Sequence, residues 1–183
     1  LDFSTHKNFY SSLDIKPVGV ISAIGYLGNQ DIANHDLDET EKIINTNFTG
    51  IVSLLNIISK DFELRKFGFI VGISSVAGER GRKSNYIYGS AKGALSLYLS
   101  GLRNRLYSSN IHVMTVKPGF VNTKMTKDME LPKVLVSEPN RLAKDIFKAQ
   151  QKGKNILYSK FIWRVLMAMI LLLPESLFKK INI

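Results

Sequence analysis

Cysteine does not occur in the chain, which removes disulfides, thiolate nucleophiles and cysteine–zinc sites at once. Histidine is nearly as scarce. The three present, His6, His35 and His112, stand far apart, without ligand spacing, so no metal site is expected. Tryptophan occurs once, at Trp163, inside an apolar C-terminal stretch where it reads as an anchor rather than a stacking platform. Long apolar runs are missing too: a spanning helix needs about twenty residues, and the unbroken run from Val165 to Leu173 has nine before Pro174 and Glu175 end it. The chain opens Leu-Asp-Phe, with no positively charged leader followed by an apolar segment, so no signal peptide is expected in it.

Negative charge is in short supply. Lys and Arg total 25 against 15 Asp and Glu, a formal charge of +10. Such a surface attracts anions: a phosphorylated cofactor, a sugar phosphate, a lipid headgroup or a nucleic acid. The basic residues are spread along the chain with no run interleaved with aromatics, and nucleic-acid binding is not expected. What remains is ordinary for a globular protein, with 183 residues, 45% hydrophobic and 22% charged, enough for one domain with a sizeable core.

The apolar pattern alternates between strands and helices. Residues 18–28 begin β-branched and end in glycine-rich loop chemistry, a buried strand running into a turn. Ile43, Ile44, Phe48, Val52, Leu55 and Ile58 recur at helical spacing over 41–60. Residues 69–75 make a second strand, and Leu95, Leu99, Leu102 and Leu106 stripe a long helix over 86–107. A third strand, 111–119, ends in Pro118–Gly119. Ser137 reads as the cap of a helix running to about Gln151, and 155–159 as a short fourth strand. Nearly continuous apolar strands alternating with helices predict an α/β fold, a doubly wound parallel sheet covered on both faces. In such sheets ligands bind beyond the C-terminal strand ends, here where the loops after Ala23, Ile73 and Val116 gather.

One stretch carries chemistry. Tyr88 stands four residues before Lys92, and Ser75 thirteen residues before Tyr88, at the end of a strand. Reducing a ketone requires a proton on oxygen while hydride reaches carbon. A phenol can give that proton, or take it in the reverse direction. Lys92 would lower the phenol's pKa, and Ser75 would hold the oxygen as alkoxide character develops. Tyr86 is a weaker candidate, because the residue four places on is Ser90. Ser74 reads as structural and His112 as a packing or surface residue.

Together, Ile73-Ser74-Ser75-Val76-Ala77-Gly78, the Tyr88…Lys92 pair, Asn47-Phe48-Thr49-Gly50 and Lys117-Pro118-Gly119-Phe120-Val121-Asn122-Thr123 resemble the short-chain dehydrogenases/reductases over essentially the whole chain. The resemblance implies a Rossmann-like fold and NAD(P)-dependent oxidoreduction of a ketone or secondary alcohol. It makes Ser75 the substrate-orienting serine, Tyr88 the general acid/base, and Lys92 the residue that tunes Tyr88 and holds the nicotinamide ribose. Asn47 would interrupt its helix and hold a water linked to Lys92. Pro118, Gly119 and Thr123 would lie beside the nicotinamide, with Val121 near its carboxamide and Asp2 near the adenine. Gly25 fits the family's turn, although Ser22-Ala23-Ile24 stands where two asparagines and an alanine are usual. NADP is preferred over NAD, from the basic surface.

The family's glycine-rich pyrophosphate loop does not occur in the chain. The resemblance therefore implies an N-terminally incomplete domain, with roughly fifty or more residues expected upstream and a fragment inactive alone. We expect residues 1–159 to form a partial reductase domain and 160–183 its apolar C-terminal tail. Lys160, Arg164, Lys179 and Lys180 flank that tail, which suits either a cleft-closing helix or peripheral membrane contact through 160–180. The tail and residues 119–126 resemble the branch that reduces the keto-sugar of a polyprenyl-phosphate-linked pentose, such as decaprenylphosphoryl arabinose-forming reductases. A cytoplasmic homo-oligomer, dimer or tetramer, paired through helices 41–60 and 86–107, is expected, with Leu54, Leu97 and Tyr98 off the main stripes. The alternatives from other classes are a non-catalytic Rossmann-like binding protein and a peripheral membrane module.

Overall fold

The computed structural model describes residues 2–127 and 129–181, so the ends of the two expected segments, residue 1 and residues 182–183, lie outside it. Four strands, β1 (Gly19–Ser22), β2 (Phe69–Ile73), β3 (His112–Pro118) and β4 (Ile156–Ser159), form one sheet in the order β1-β2-β3-β4. Every pairing is parallel. Helices α1 (Thr5–Ser11), α2 (Gln30–Ala33), α3 (Leu37–Ile44), α4 (Gly50–Arg65), α5 (Tyr86–Leu106), α6 (Pro139–Gln151), α7 (Phe161–Leu172) and α8 (Glu175–Phe178) precede, connect and follow the strands.

The strands are apolar throughout because both faces are covered. On one face Ile70 and Val113 meet Leu55 and Ile58 of α4, Leu95, Leu99 and Leu106 of α5, and Tyr10 of α1. On the other, Val71, Met114 and Val116 meet Leu142, Ile146 and Ala149 of α6. Alternate residues of each strand thus feed different cores. Each fully buried leucine contributes about 1.5–3 kcal/mol by leaving water. Strand β1 pairs only with β2 among the described strands, and Val18, just before it, and Ile21, within it, are exposed.

The helix expected over 41–60 begins earlier and is interrupted. A π-helical turn, Asn45–Thr49, separates α3 from α4. Ser137 does not cap α6: Pro139 opens that helix after Glu138, and Ser137 instead bridges to Val121 in a parallel contact. Leu54 and Tyr98 are partly buried against the first core, and Tyr98 donates to Asn56 Oδ1 at 2.7 Å. Of the three off-stripe residues only Leu97 is exposed, at 76%. The tail folds back as α7 and α8, burying Trp163 and Met167 against Val76 and Phe120. Arg80 donates to the carbonyls of Ile170 and Leu173, closing the C-terminal end of α7. Among the described residues no helix is long and apolar enough to cross a membrane.

Candidate active site

The turn after β2 is brought hard against α5. A Cβ on Gly78 would stand 2.5 Å from the Gly93 nitrogen, and one on Gly93 would stand 2.8 Å from the Gly78 carbonyl oxygen. Only two bare backbones pass that closely, and this contact sets Ser75, just before the turn, opposite Tyr88, one helical turn before Gly93. Ser74 secures the same junction, donating to the Lys92 carbonyl at 2.7 Å and lying 2.7 Å from Ser96 Oγ. It is structural, as its position suggests. The Ser75 hydroxyl accepts from the Ala77 N–H at 3.1 Å.

Lys92 is 2% exposed. Its Nζ donates to the carbonyls of Ile24, in the loop just beyond β1, at 3.3 Å and of Ile73, the last residue of β2, at 3.1 Å. An ammonium has three N–H bonds, which leaves one direction unspent among the described residues. Burial pulls the ammonium down to about 8. Burial also pushes the Tyr88 phenol above its ordinary value, while the nearby Ser75 hydroxyl works against that rise. The expected lowering of the phenol by Lys92 does not control this arrangement. The ammonium is 5.9 Å from the phenol ring centroid and is committed to two carbonyls.

Asn47 lies at the centre of the π-helical turn and is fully buried. Its Nδ2 donates to the carbonyls of Tyr26 at 2.6 Å and Ile43 at 2.8 Å, and its Oδ1 accepts from the Tyr26 N–H at 3.2 Å. Gly25 sits between Asn47 and Lys92: a Cβ there would lie 3.4 Å from Asn47 Oδ1 and 3.5 Å from Lys92 Nζ.

A cleft of about 520 Å³ opens beyond the strand ends, where the sheet topology places it. Gly25, Ser75, Tyr88, Lys92, Pro118, Gly119, Val121 and Thr123 all line it. Asp2 does not; its carboxylate accepts from the N–H and hydroxyl of Ser4 at the start of α1. Tyr86 points elsewhere, donating to Asn34 Oδ1 at 2.6 Å. Among the described residues no cluster could hold a metal ion. Sequence reasoning missed Arg82 and Asn85, which also line the cleft. The available signal was a run of charge, Glu79-Arg80-Gly81-Arg82, in a loop beyond a strand's C-terminal end.

A parallel sheet flanked by helices, with Ser75, Tyr88 and Lys92 lining a cleft at its C-terminal rim, defines a Rossmann-like protein. The short chain dehydrogenase family model matches residues 8–133. An uncharacterized oxidoreductase of Mycobacterium tuberculosis is 32% identical over 182 residues, 98% of this chain and 73% of that protein. The chain belongs to the short-chain dehydrogenase family. The fold agrees with a short-chain dehydrogenase from Sphingobium yanoikuyae in complex with NADPH: TM-score 0.80, 21% identity, 99% of this chain and 72% of that one. One from Burkholderia cenocepacia in complex with NADP gives TM-score 0.80 at 17% identity, covering 92% and 71%.

Proposed function

We propose that the protein is an NAD(P)-dependent oxidoreductase acting on a ketone or secondary alcohol, with Tyr88 as general acid/base. The observation that carries this reading is the convergence of Ser75, Tyr88 and Lys92 on one cleft. Family membership and the oxidoreductase relative support it. NADP is favoured by the basic surface, and fold relatives in complex with NADPH and with NADH agree with a nicotinamide cofactor of either kind.

The residues present suit the nicotinamide end of such a cofactor. Lys92, with one N–H direction unspent, and Tyr88 would hold ribose hydroxyls; Gly25, Pro118, Gly119, Val121 and Thr123 would flank the ring. Asp2, outside the cleft, would reach only the adenine end. The bound nicotinamide supplies or accepts the hydride. Tyr88, whose raised pKa keeps it protonated near neutrality, gives its proton to the substrate oxygen in reduction. Ser75 donates a hydrogen bond to that oxygen as negative charge develops on it. Asn47 holds the backbone at Tyr26 and would seat the water through which Lys92 returns a proton to Tyr88.

The substrate is a small carbonyl compound or alcohol, and the sequence likeness to the lipid-linked keto-pentose reductases makes such a keto-sugar the finer reading. Residues 1–159 would carry the chemistry and 160–183 would form its tail. On α7, Phe161, Val165, Met169 and Leu172 are exposed beside Lys160 and Arg164, which suits peripheral contact of a cytoplasmic protein with anionic lipid. Exposed Leu97 on α5 suits pairing of two copies through helices 41–60 and 86–107; a monomer mass by light scattering would contradict that pairing.

The test is direct transfer. Incubation of the full-length protein with deuterium-labelled reduced nicotinamide cofactor and a panel of ketones should place deuterium on the carbinol carbon of the product. Absence of label from every ketone in the panel would leave the non-catalytic binding reading.

A further inference from the structure

Two buried polar atoms of cleft-lining residues, Arg82 Nε and Asn85 Oδ1, have no hydrogen-bond partner among the described residues, and neither does Glu79 Oε2, outside the cleft lining. Arg82 and Asn85 line the same cleft as Ser75 and Tyr88. They are close in the chain as well, the Asn85 N–H donating to the Arg82 carbonyl at 3.2 Å, immediately before α5 brings Tyr88 to the site.

The nearby carboxylates are engaged with other cations. Glu79 Oε1 accepts from Lys117 at 2.8 Å and from the Tyr158 hydroxyl. Glu175 is 3.0 Å from Arg80. Arg82 is left with a 3.4 Å contact from its Nη2 to the Met167 sulfur, a weak acceptor. Burial lowers its pKa, with Glu79 opposing. Arg82 also borders a second hollow lined by Lys83, Lys179 and Glu175, whose carboxylate is paired with Arg80. A partly buried guanidinium without a strong acceptor is costly in a folded chain unless something else completes it.

We propose that Arg82 and Asn85 form an oxyanion-and-hydroxyl subsite, and that the substrate is a hydroxylated ketone or secondary alcohol bearing a phosphate or carboxylate group. Arg82 binds the oxyanion through its fork of N–H donors. Asn85 accepts a hydrogen bond from a substrate hydroxyl. This subsite deepens the oxidoreductase reading and rests on it. A structural alternative is a rotation of Arg82 onto Glu79 Oε2, which would satisfy both buried atoms without any substrate.

The test compares matched substrates and does not rely on turnover alone. Cofactor oxidation is measured with dihydroxyacetone phosphate against dihydroxyacetone, and with levulinate against its methyl ester. The quantity read is the ratio of kcat/KM, anionic to neutral, in the unaltered protein, in Arg82→Met and in Arg82→Lys. A charge-assisted bond predicts a ratio of roughly ten to a hundred. Arg82→Met should collapse the ratio toward one, and Arg82→Lys should restore part of it. The phosphate and carboxylate pairs tell the two oxyanions apart. In parallel, inorganic phosphate is titrated while the fluorescence of Trp163, the single tryptophan, is followed; it packs with Met167, which Arg82 touches. A saturable change, lost in Arg82→Met, is expected. Turnover of both members of each pair with equal efficiency, unaltered in ratio by Arg82→Met, would overturn the subsite and leave the oxidoreductase reading intact. Phosphate binding through Arg82 with no turnover of any ketone would overturn the oxidoreductase reading and keep the anion subsite. Neither binding nor turnover, with Arg82→Met only lowering the melting temperature, would assign Arg82 to Glu79.

Discussion

Asn47 and Tyr26 hold one another in both directions: the amide nitrogen donates to the Tyr26 carbonyl at 2.6 Å, and the amide oxygen accepts from the Tyr26 N–H at 3.2 Å. A side chain on the π-helical turn thereby replaces the strand-like partner that the backbone lacks just beyond β1. That bond fixes the Gly25–Tyr26 segment, and with it the neighbouring Ile24 carbonyl that Lys92 grips.

Asn47→Ala should therefore cost more than an ordinary helix substitution. It strands the half-buried N–H and carbonyl of Tyr26 and the buried carbonyl of Ile43 at once, and a fully buried orphan is worth about 1–3 kcal/mol. Denaturant unfolding should show the loss as a lower midpoint with an unchanged slope. Asn47→Asp, which keeps the acceptor and loses the donor, should fall between. A midpoint for Asn47→Ala equal to that of the unaltered protein would contradict the account.

Lys92 gives a pH signature. Its folded-state value of about 8 lies below the ordinary lysine value of 10.5. Between those values the unfolded chain binds the proton and the folded protein does not, so stability rises with pH across that window. The full effect is about 3 kcal/mol. Lys92→Met should flatten this rise when unfolding midpoints are compared from below pH 8 to above pH 10. In turnover, the charged ammonium is lost as pH climbs through about 8, so ketone reduction should fall across that point. An unchanged profile in both measurements would remove Lys92 from the site.

The sheet was legible because its strands are buried on both faces and so read as unbroken apolar runs. Ser75, Tyr88 and Lys92 were legible because their spacing reflects one strand end facing one helix. Other features depend on contacts distant in the chain. The Ser137-Glu138-Pro139 stretch carries a local capping signal, yet Ser137 is drawn off to Val121 by a long-range bridge. Apolar periodicity ran straight through Asn45–Thr49, and only the resemblance, through Asn47, pointed to the interruption that the π-helical turn makes there. Leu54 and Tyr98 looked surplus to the stripe until α1 and the α4–α5 contact supplied partners. Arg82 was invisible as a cleft residue because its lack of a partner is a property of the folded surroundings.

The exposed side of α7 makes a physical prediction about surfaces. Leu172 is 83% exposed, so Leu172→Glu should leave the melting temperature almost unchanged. Co-sedimentation with vesicles containing phosphatidylserine should drop severalfold in that variant, and vesicles of phosphatidylcholine alone should bind neither form well. Equal sedimentation of both proteins with the anionic vesicles would dismiss the α7 face as a lipid contact.

The most direct test of the central claim is the turnover of Tyr88→Phe, made in the full-length protein, with a ketone that the unaltered full-length protein reduces. The substitution removes one hydroxyl from the cleft and leaves the ring that packs there. Loss of a positioned acid predicts a fall in kcat of about a hundredfold to ten-thousandfold, with circular dichroism and unfolding midpoint close to those of the unaltered protein. Cofactor oxidation by Tyr88→Phe at the unaltered rate would contradict the assignment of Tyr88 as the group that exchanges the proton.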